Sequence, residues 1–170
     1  MNTQIIKLPV DGLHLKGELT LPEHAQSLII FSHGSGSCRM SVKNKQLAAH
    51  LQEAGFGTLL FDLLSAREDE EEYRFDIELL ARRLSAAATW IRSHDEYGSL
   101  SLAYFGASLG TAAALKSAAQ LGPAVTAIVS RGGRPDLTRE DLPDVMCPVL
   151  LITGEYDWQT LKLNEQALRY

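Results

Sequence analysis

Leu100-Ser-Leu-Ala-Tyr-Phe-Gly-Ala-Ser-Leu-Gly110 decides the fold. It runs directly into Thr111-Ala-Ala-Ala-Leu-Lys-Ser-Ala-Ala119. The first part reads as a short apolar strand, the last as an alanine-rich helix, and a sharp turn joins them. The turn spells Gly106-Ala107-Ser108-Leu109-Gly110, a match to G-x-S-x-G. A serine at such a corner sits in strained backbone geometry with its Oγ pushed above the sheet. Side chains two residues before and after would collide with neighbouring backbone, so glycine is needed at both places. The helix aims its first N–H groups where an oxyanion would develop. An ordinary serine in a tight βα turn would carry the same letters. The strand before it, the helix after it and a second glycine-rich turn upstream favour a nucleophile.

Outward from the elbow, apolar runs alternate with helical stretches. Residues 4–10 and 13–22 read as strands joined at Asp11-Gly12, a hairpin signal. In the second, Leu13, Leu15, Gly17, Leu19 and Leu21 alternate with polar residues, the period of a strand with one wet face. Leu28–Ser32, Gly57–Leu64, Ala124–Val129 and Val149–Thr153 read as buried strands. Residues 41–54, 75–94 and 159–169 read as helices. Leu47, Ala48, Leu51 and Ala54 mark the inner side of the first, with Gly55 as its stop. Ile77, Leu80, Leu84, Ala87, Ala88 and Ile91 mark the inner side of the second. The run Arg67-Glu-Asp-Glu-Glu-Glu72 reads as a solvated surface segment.

This order predicts an α/β fold, with a mostly parallel, doubly wound sheet preceded by an antiparallel hairpin. In such sheets ligands bind at the carboxyl ends of the strands. His33-Gly34-Ser35, Asp62, Ser108, Arg131 and Asp157 all follow strand ends, so they should converge on one rim.

Composition narrows the function. The chain has 170 residues, 45% apolar and 22% charged, which suits one globular domain with a real core. A net charge of −5 argues against a nucleic-acid partner. No apolar run reaches the length of a membrane span, and the N-terminus lacks a signal-peptide pattern. Cys38 and Cys147 form no C-x-x-C, so reduced thiols and a cytoplasmic location are expected. There is no metal-ligand spacing and no dinucleotide fingerprint, so no metal and no cofactor are expected.

Five stretches together resemble the α/β-hydrolase superfamily, and within it dienelactone-hydrolase-like proteins. They are His33-Gly-Ser-Gly-Ser37, Phe61-Asp62-Leu63-Leu64, Tyr104–Gly110, Ser130-Arg-Gly-Gly-Arg-Pro-Asp136 and Leu150-Leu-Ile-Thr-Gly-Glu-Tyr-Asp157. The resemblance covers essentially residues 1–170 as a single α/β-hydrolase domain. The Ser-Arg-Gly-Gly-Arg-Pro stretch is similar to a subgroup sometimes fused to a phosphoribosyltransferase domain, of which this sequence carries no trace.

The resemblance implies Ser108 as nucleophile and Asp157 as the acid that orients a histidine. It also implies an oxyanion hole from the N–H of Leu109 and one from the Gly34–Ser35 turn. A helix N-cap is the competing role for Asp157. The implied histidine follows one further strand, but the sequence given stops at Tyr170. His14, His24, His33, His50 and His94 all precede Ser108. His33 stands where the family shapes the oxyanion turn, and a ring bonded to backbone is its simpler role.

A serine without a base is a poor nucleophile. Two readings follow. One is a fragment missing the last strand and helix, favoured because elbow, oxyanion turn and acid are intact. The other is a binding module that lost its base. On the first reading the strand at 149–153 presents an open edge inviting self-association, and light scattering showing a clean monomer would count against it. The expected substrate is a small ester or lactone. Arg131 and Arg134 could fork onto a substrate carboxylate or phosphate, or pair with Asp136, Glu140 or Asp141.

Overall fold

The structure, a computed structural model, describes residues 1–34, 38–65, 67–68 and 73–170. Among the described residues seven strands form one sheet: β1 (Asn2–Val10), β2 (Leu13–Leu21), β3 (Ser27–Ser32), β4 (Gly57–Phe61), β5 (Ser101–Ala107), β6 (Val125–Arg131) and β7 (Val149–Ile152). Their spatial order is β1-β2-β4-β3-β5-β6-β7. β1–β2 and β2–β4 are antiparallel, and every later pairing is parallel. Among the described residues four α-helices join them: α1 (Val42–Glu53), α2 (Ile77–Arg92), α3 (Leu109–Leu121) and α4 (Trp158–Ala167). A 3₁₀ segment, Pro135–Asp144, leads from β6 toward β7. The mostly parallel sheet with its N-terminal antiparallel hairpin is the α/β-hydrolase fold.

The hairpin closes as its letters require. Asp11 and Gly12 take φ values of 51° and 74°, the double left-handed turn that matches strand twist. Helix limits are set by caps. Asp76 accepts the Leu79 N–H at 2.9 Å, so α2 begins two residues after the expected Phe75. At the end of α1, Gly55 takes φ 89° just past the capping Ala54. Ala54 is consequently exposed rather than inward, and Asn44 and Ala48 are the buried residues of α1.

Alternation along the strands sorts the core into two layers. Leu28, Ile30, Leu59, Phe61, Leu102, Tyr104 and Ile128 pack under α2 and α3. Phe31, Leu60 and Phe105 pack on the opposite face with Ala48 of α1. Ala112, Ala113, Ala114 and Ala118 of α3 are fully buried, their small side chains letting this helix lie close on the sheet. Leu150 and Ile152 of β7 pair with Val129 and Arg131 and share the face that α1 covers further along. They stay 57% and 46% exposed. Among the described residues β7 has one strand neighbour, β6.

Two further expectations need correction. The strand expected to reach Leu64 ends at Phe61. There the Asp62 carboxylate accepts from the Arg39 N–H at 3.0 Å and from its guanidinium, and the chain turns. The acidic run is not wholly a solvated surface segment. The Glu68 carboxylate forms a bidentate pair with Arg83 at 2.6 and 2.8 Å. Arg83 is 2% exposed in the middle of α2 and also donates to the Leu63 carbonyl at 3.0 Å. The rest of the run, apart from Arg67, lies outside the described residues.

Candidate active site

β3, β5, β6 and β7 end at a common level. Ser32 pairs with Gly106, Gly106 with Ser130, and Ser130 with Leu151. The residues just beyond these ends therefore share one rim: His33 and Gly34, Ser108, the 132–134 turn, and the loop to Asp157.

Ser108 occupies the corner between β5 and α3 with φ 51° and ψ −123°. L-residues seldom adopt this conformation, and holding it costs on the order of 1–3 kcal/mol. As N-cap of α3 it would normally bond an N–H of the first turn, yet its side chain makes no such bond. The hydroxyl is not spent on its own helix.

The flanking glycines are required by close approach. A Cβ on Gly106 would come within 2.7 Å of Thr111 Cα. One on Gly110 would stand 2.0 Å from the Ser32 carbonyl oxygen and 2.7 Å from that of His33. Gly34 lies over the corner, where a Cβ would meet Ser108 Cβ at 2.9 Å. Leu109 opens α3, and N–H groups of a first helical turn have no intrahelical acceptor. Ser35, the other half of the expected oxyanion turn, lies outside the described residues.

The 130–134 segment braces the corner from the β6 side. Ser108 N–H donates to Arg131 O at 3.4 Å, and Arg134 N–H donates to Ser108 O at 3.2 Å. Beneath them the buried hydroxyls of Thr111 and Ser130 bond at 3.0 Å.

Arg134 forks onto Asp136 at 2.8 Å through both contacts. That hydrogen bond holds the Asp136 carboxyl below its ordinary range and raises the Arg134 guanidinium. The Arg131 guanidinium lies 5.4 Å from the centre of the Phe105 ring and forms no ion pair among the described residues.

Asp157 is the N-cap of α4 and accepts the Thr160 N–H at 3.1 Å. It is exposed, and β7, which leads to it, lies two strands from β5, about 10 Å of sheet width. His33 is half-buried, with Nδ1 contacting Gly34 O at 3.3 Å and Nε2 contacting the Leu63 N–H at 3.4 Å. The ring is consistent with Nδ1–H donating and Nε2 accepting. Among the described residues no histidine is hydrogen-bonded to the Ser108 hydroxyl.

Sequence reasoning missed two residues bearing on the rim. Arg83 holds the Leu63 carbonyl while His33 meets the Leu63 N–H, so a buried arginine steadies the loop beside the corner. Asn164 donates to the Gly133 carbonyl at 3.0 Å.

Strain at Ser108 has a measurable consequence. Ser108→Gly relieves the positive φ, whereas Ser108→Ala keeps it. Urea unfolding should find the glycine variant more stable than the alanine variant by about 1 kcal/mol. Alanine the more stable of the two would contradict a strained corner.

No family model matches the sequence. A curated Mycobacterium tuberculosis protein (strain CDC 1551), named as a phosphoribosyl transferase, is 46% identical over 165 residues. The match takes in 96% of this chain and 37% of that protein, and the strain H37Rv counterpart gives the same figures. The chain thus spans 37% of the length of these curated relatives. Among solved structures, a dienelactone hydrolase from Anabaena variabilis is 44% identical with a TM-score of 0.96. That alignment covers 99% of this chain and 80% of that one. A dienelactone hydrolase-like promiscuous phosphotriesterase from metagenomic libraries shares the fold at 21% identity and a TM-score of 0.75. Its alignment covers 99% of this chain and 76% of that one. At 44% identity over nearly the whole chain and four fifths of that hydrolase, with closely superimposable backbones, the chain belongs to the dienelactone hydrolase family of α/β-hydrolases.

Proposed function

We propose that the protein is a serine hydrolase acting on a small ester or lactone, with Ser108 as nucleophile. One observation carries the reading. Ser108 is held in a strained corner at a helix N-terminus, and its hydroxyl is not used to cap that helix. In the proposed reaction Ser108 Oγ bonds to the substrate carbonyl carbon and gives its proton to a base. The carbonyl oxygen takes up negative charge, held by the N–H of Leu109 and one from the Gly34–Ser35 turn. The tetrahedral adduct collapses, the ester C–O bond breaks, and the alkoxide leaves with the proton. Water then cleaves the acyl-enzyme by the same steps. Asp157 orients the base, which the resemblance makes a histidine following one further strand; an imidazole can bridge about two strand spacings between acid and nucleophile.

Arg131, which forms no ion pair among the described residues, is the better placed of the two arginines to meet a substrate carboxylate or phosphate. Arg134 braces the turn through Asp136. Both thiols are free, which suits a reducing cytoplasm. Among the described residues no helix is long and apolar enough to cross a membrane. We attribute the phosphoribosyl transfer named for the curated relatives to the length of those proteins that this chain does not match.

Turnover of p-nitrophenyl acetate and of simple lactones by the longest natural form of the chain tests the reading. Ser108→Ala should cost about 10³-fold or more in kcat. Undiminished turnover in that variant would remove the nucleophile.

A second reading has its own support. The ring nitrogens of His33 contact Gly34 O and the Leu63 N–H, which suits a structural rather than a basic role for this histidine. A binding module without a base would show no turnover in the parent protein, yet gain Tm with a small carboxylic acid.

A further inference from the structure

α4 buries one residue, Asn164, which is 3% exposed. Its amide nitrogen donates to the Gly133 carbonyl at 3.0 Å and to the Thr160 carbonyl at 2.7 Å. Both neighbours are acceptors only, so the nitrogen must face them. Oδ1 is then buried without a donor among the described residues. A buried unpaired acceptor opposes folding, and a leucine of similar size would avoid it. Packing alone therefore does not explain an asparagine here, whereas the bond to Gly133 does.

Gly133 has no freedom to accommodate a shift. A Cβ there would lie 2.1 Å from Ser130 Oγ and 2.4 Å from Thr111 Oγ1. The turn is thus seated on the buried hydroxyl pair from below. It is tied to the corner by Arg134 N–H to Ser108 O and Ser108 N–H to Arg131 O. On its far side it is tied to α4 by Asn164. The same helix starts at Asp157, whose carboxylate caps it.

We propose that Asn164 is a positioning residue that locks the 132–134 turn against the Ser108 backbone and so fixes the nucleophile relative to the helix carrying Asp157. The proposal rests on Ser108 being the nucleophile. It acts through geometry: a corner that wanders by even an ångström loses alignment with its base and oxyanion donors.

The test compares Asn164→Leu with the parent, both in the longest natural form of the chain, by amide hydrogen exchange and by ester turnover. Asn164→Leu should speed exchange of the Ser108 and Arg134 amides tenfold or more while those of Phe31 and Phe105 keep their rates. In turnover kcat should fall about tenfold with KM unchanged. Asn164→Asp is the second variant, should the leucine fail to fold. Its ionised carboxylate repels both carbonyls, and its protonated form can donate to one, so its loosening should be relieved as pH falls. Unchanged exchange at Ser108 and Arg134 would overturn the proposal. So would all four amides loosening together, or local loosening with kcat unaffected. A parent protein without turnover would instead defeat Ser108 as nucleophile, leaving the exchange comparison to decide whether Asn164 holds the turn.

Discussion

Gly110→Ala should abolish soluble expression or lower stability by about 4 kcal/mol or more. In an ordinary helix the exchange would help, since alanine is favoured over glycine by about 1 kcal/mol. Here the sign is reversed by contact. The new Cβ would sit 2.0 Å from the Ser32 carbonyl oxygen and 2.6 Å from its carbon. Both are backbone atoms of β3, a central strand paired on each side. No rotamer change can relieve the overlap, so α3 must lift from the sheet and uncover its buried alanines. Gly132→Ala is the matched control. Gly132 takes φ 55° with open space around its Cβ position, so alanine there should cost only about 1 kcal/mol of backbone strain. Urea melts of the two variants read the difference. Similar losses in both would mean that the close approach of α3 to β3 is not what demands glycine.

Arg83→Met should lower stability by about 3 kcal/mol, a fall of roughly 6–12 °C in Tm for a chain of this size. The methionine fills similar space but strips the Leu63 carbonyl of its donor and leaves Glu68 without its fork. The same pair predicts an acid dependence. Arg83, through its hydrogen bonds, is the main cause holding the Glu68 carboxyl at about 2, against an ordinary 4.5. The folded state therefore binds this proton more weakly than the unfolded chain does. The stabilisation is complete above pH 4.5 and is lost as pH falls toward 2. Screening at a side chain still 22% exposed limits it to about 2 kcal/mol. Denaturant melts at pH 7, 4.5 and 3 should show a steeper loss in the parent than in Arg83→Met. Parallel losses would remove the pair as an acid-sensitive brace.

Much of the fold was legible because local rules and tertiary packing agree. The Asp11-Gly12 turn, the alternation in β2 and the apolar runs of β3 to β7 each have one economical structure. The glycines of the elbow were legible for the same reason, since strand-turn-helix geometry brings α3 against β3. Strand ends were less so. β6 runs to Arg131, beyond its apolar run, because its backbone pairs with β5 through Ala107 and with β7 through Ile152. Hydropathy does not record pairing.

Polar residues in buried places were the larger omission. Arg83 lies four positions from Leu79 and from Ala87, on the inward side of α2, so its spacing was a usable signal that charge obscured. Asn164 gave no comparable signal. Its role depends on a carbonyl 31 residues earlier, which no local pattern encodes. Asp157 was ambiguous in the sequence between cap and acid, and it does cap α4. Capping by one carboxylate oxygen and orienting a histidine are compatible tasks.

The most direct measurement is covalent labelling by an alkyl fluorophosphonate, followed by peptide mapping in a mass spectrometer. The longest natural form of the chain should gain one adduct on the peptide containing Gly106–Gly110, at Ser108, and Ser108→Ala should gain none. An adduct elsewhere, or one that persists in Ser108→Ala, would contradict a nucleophile at this corner.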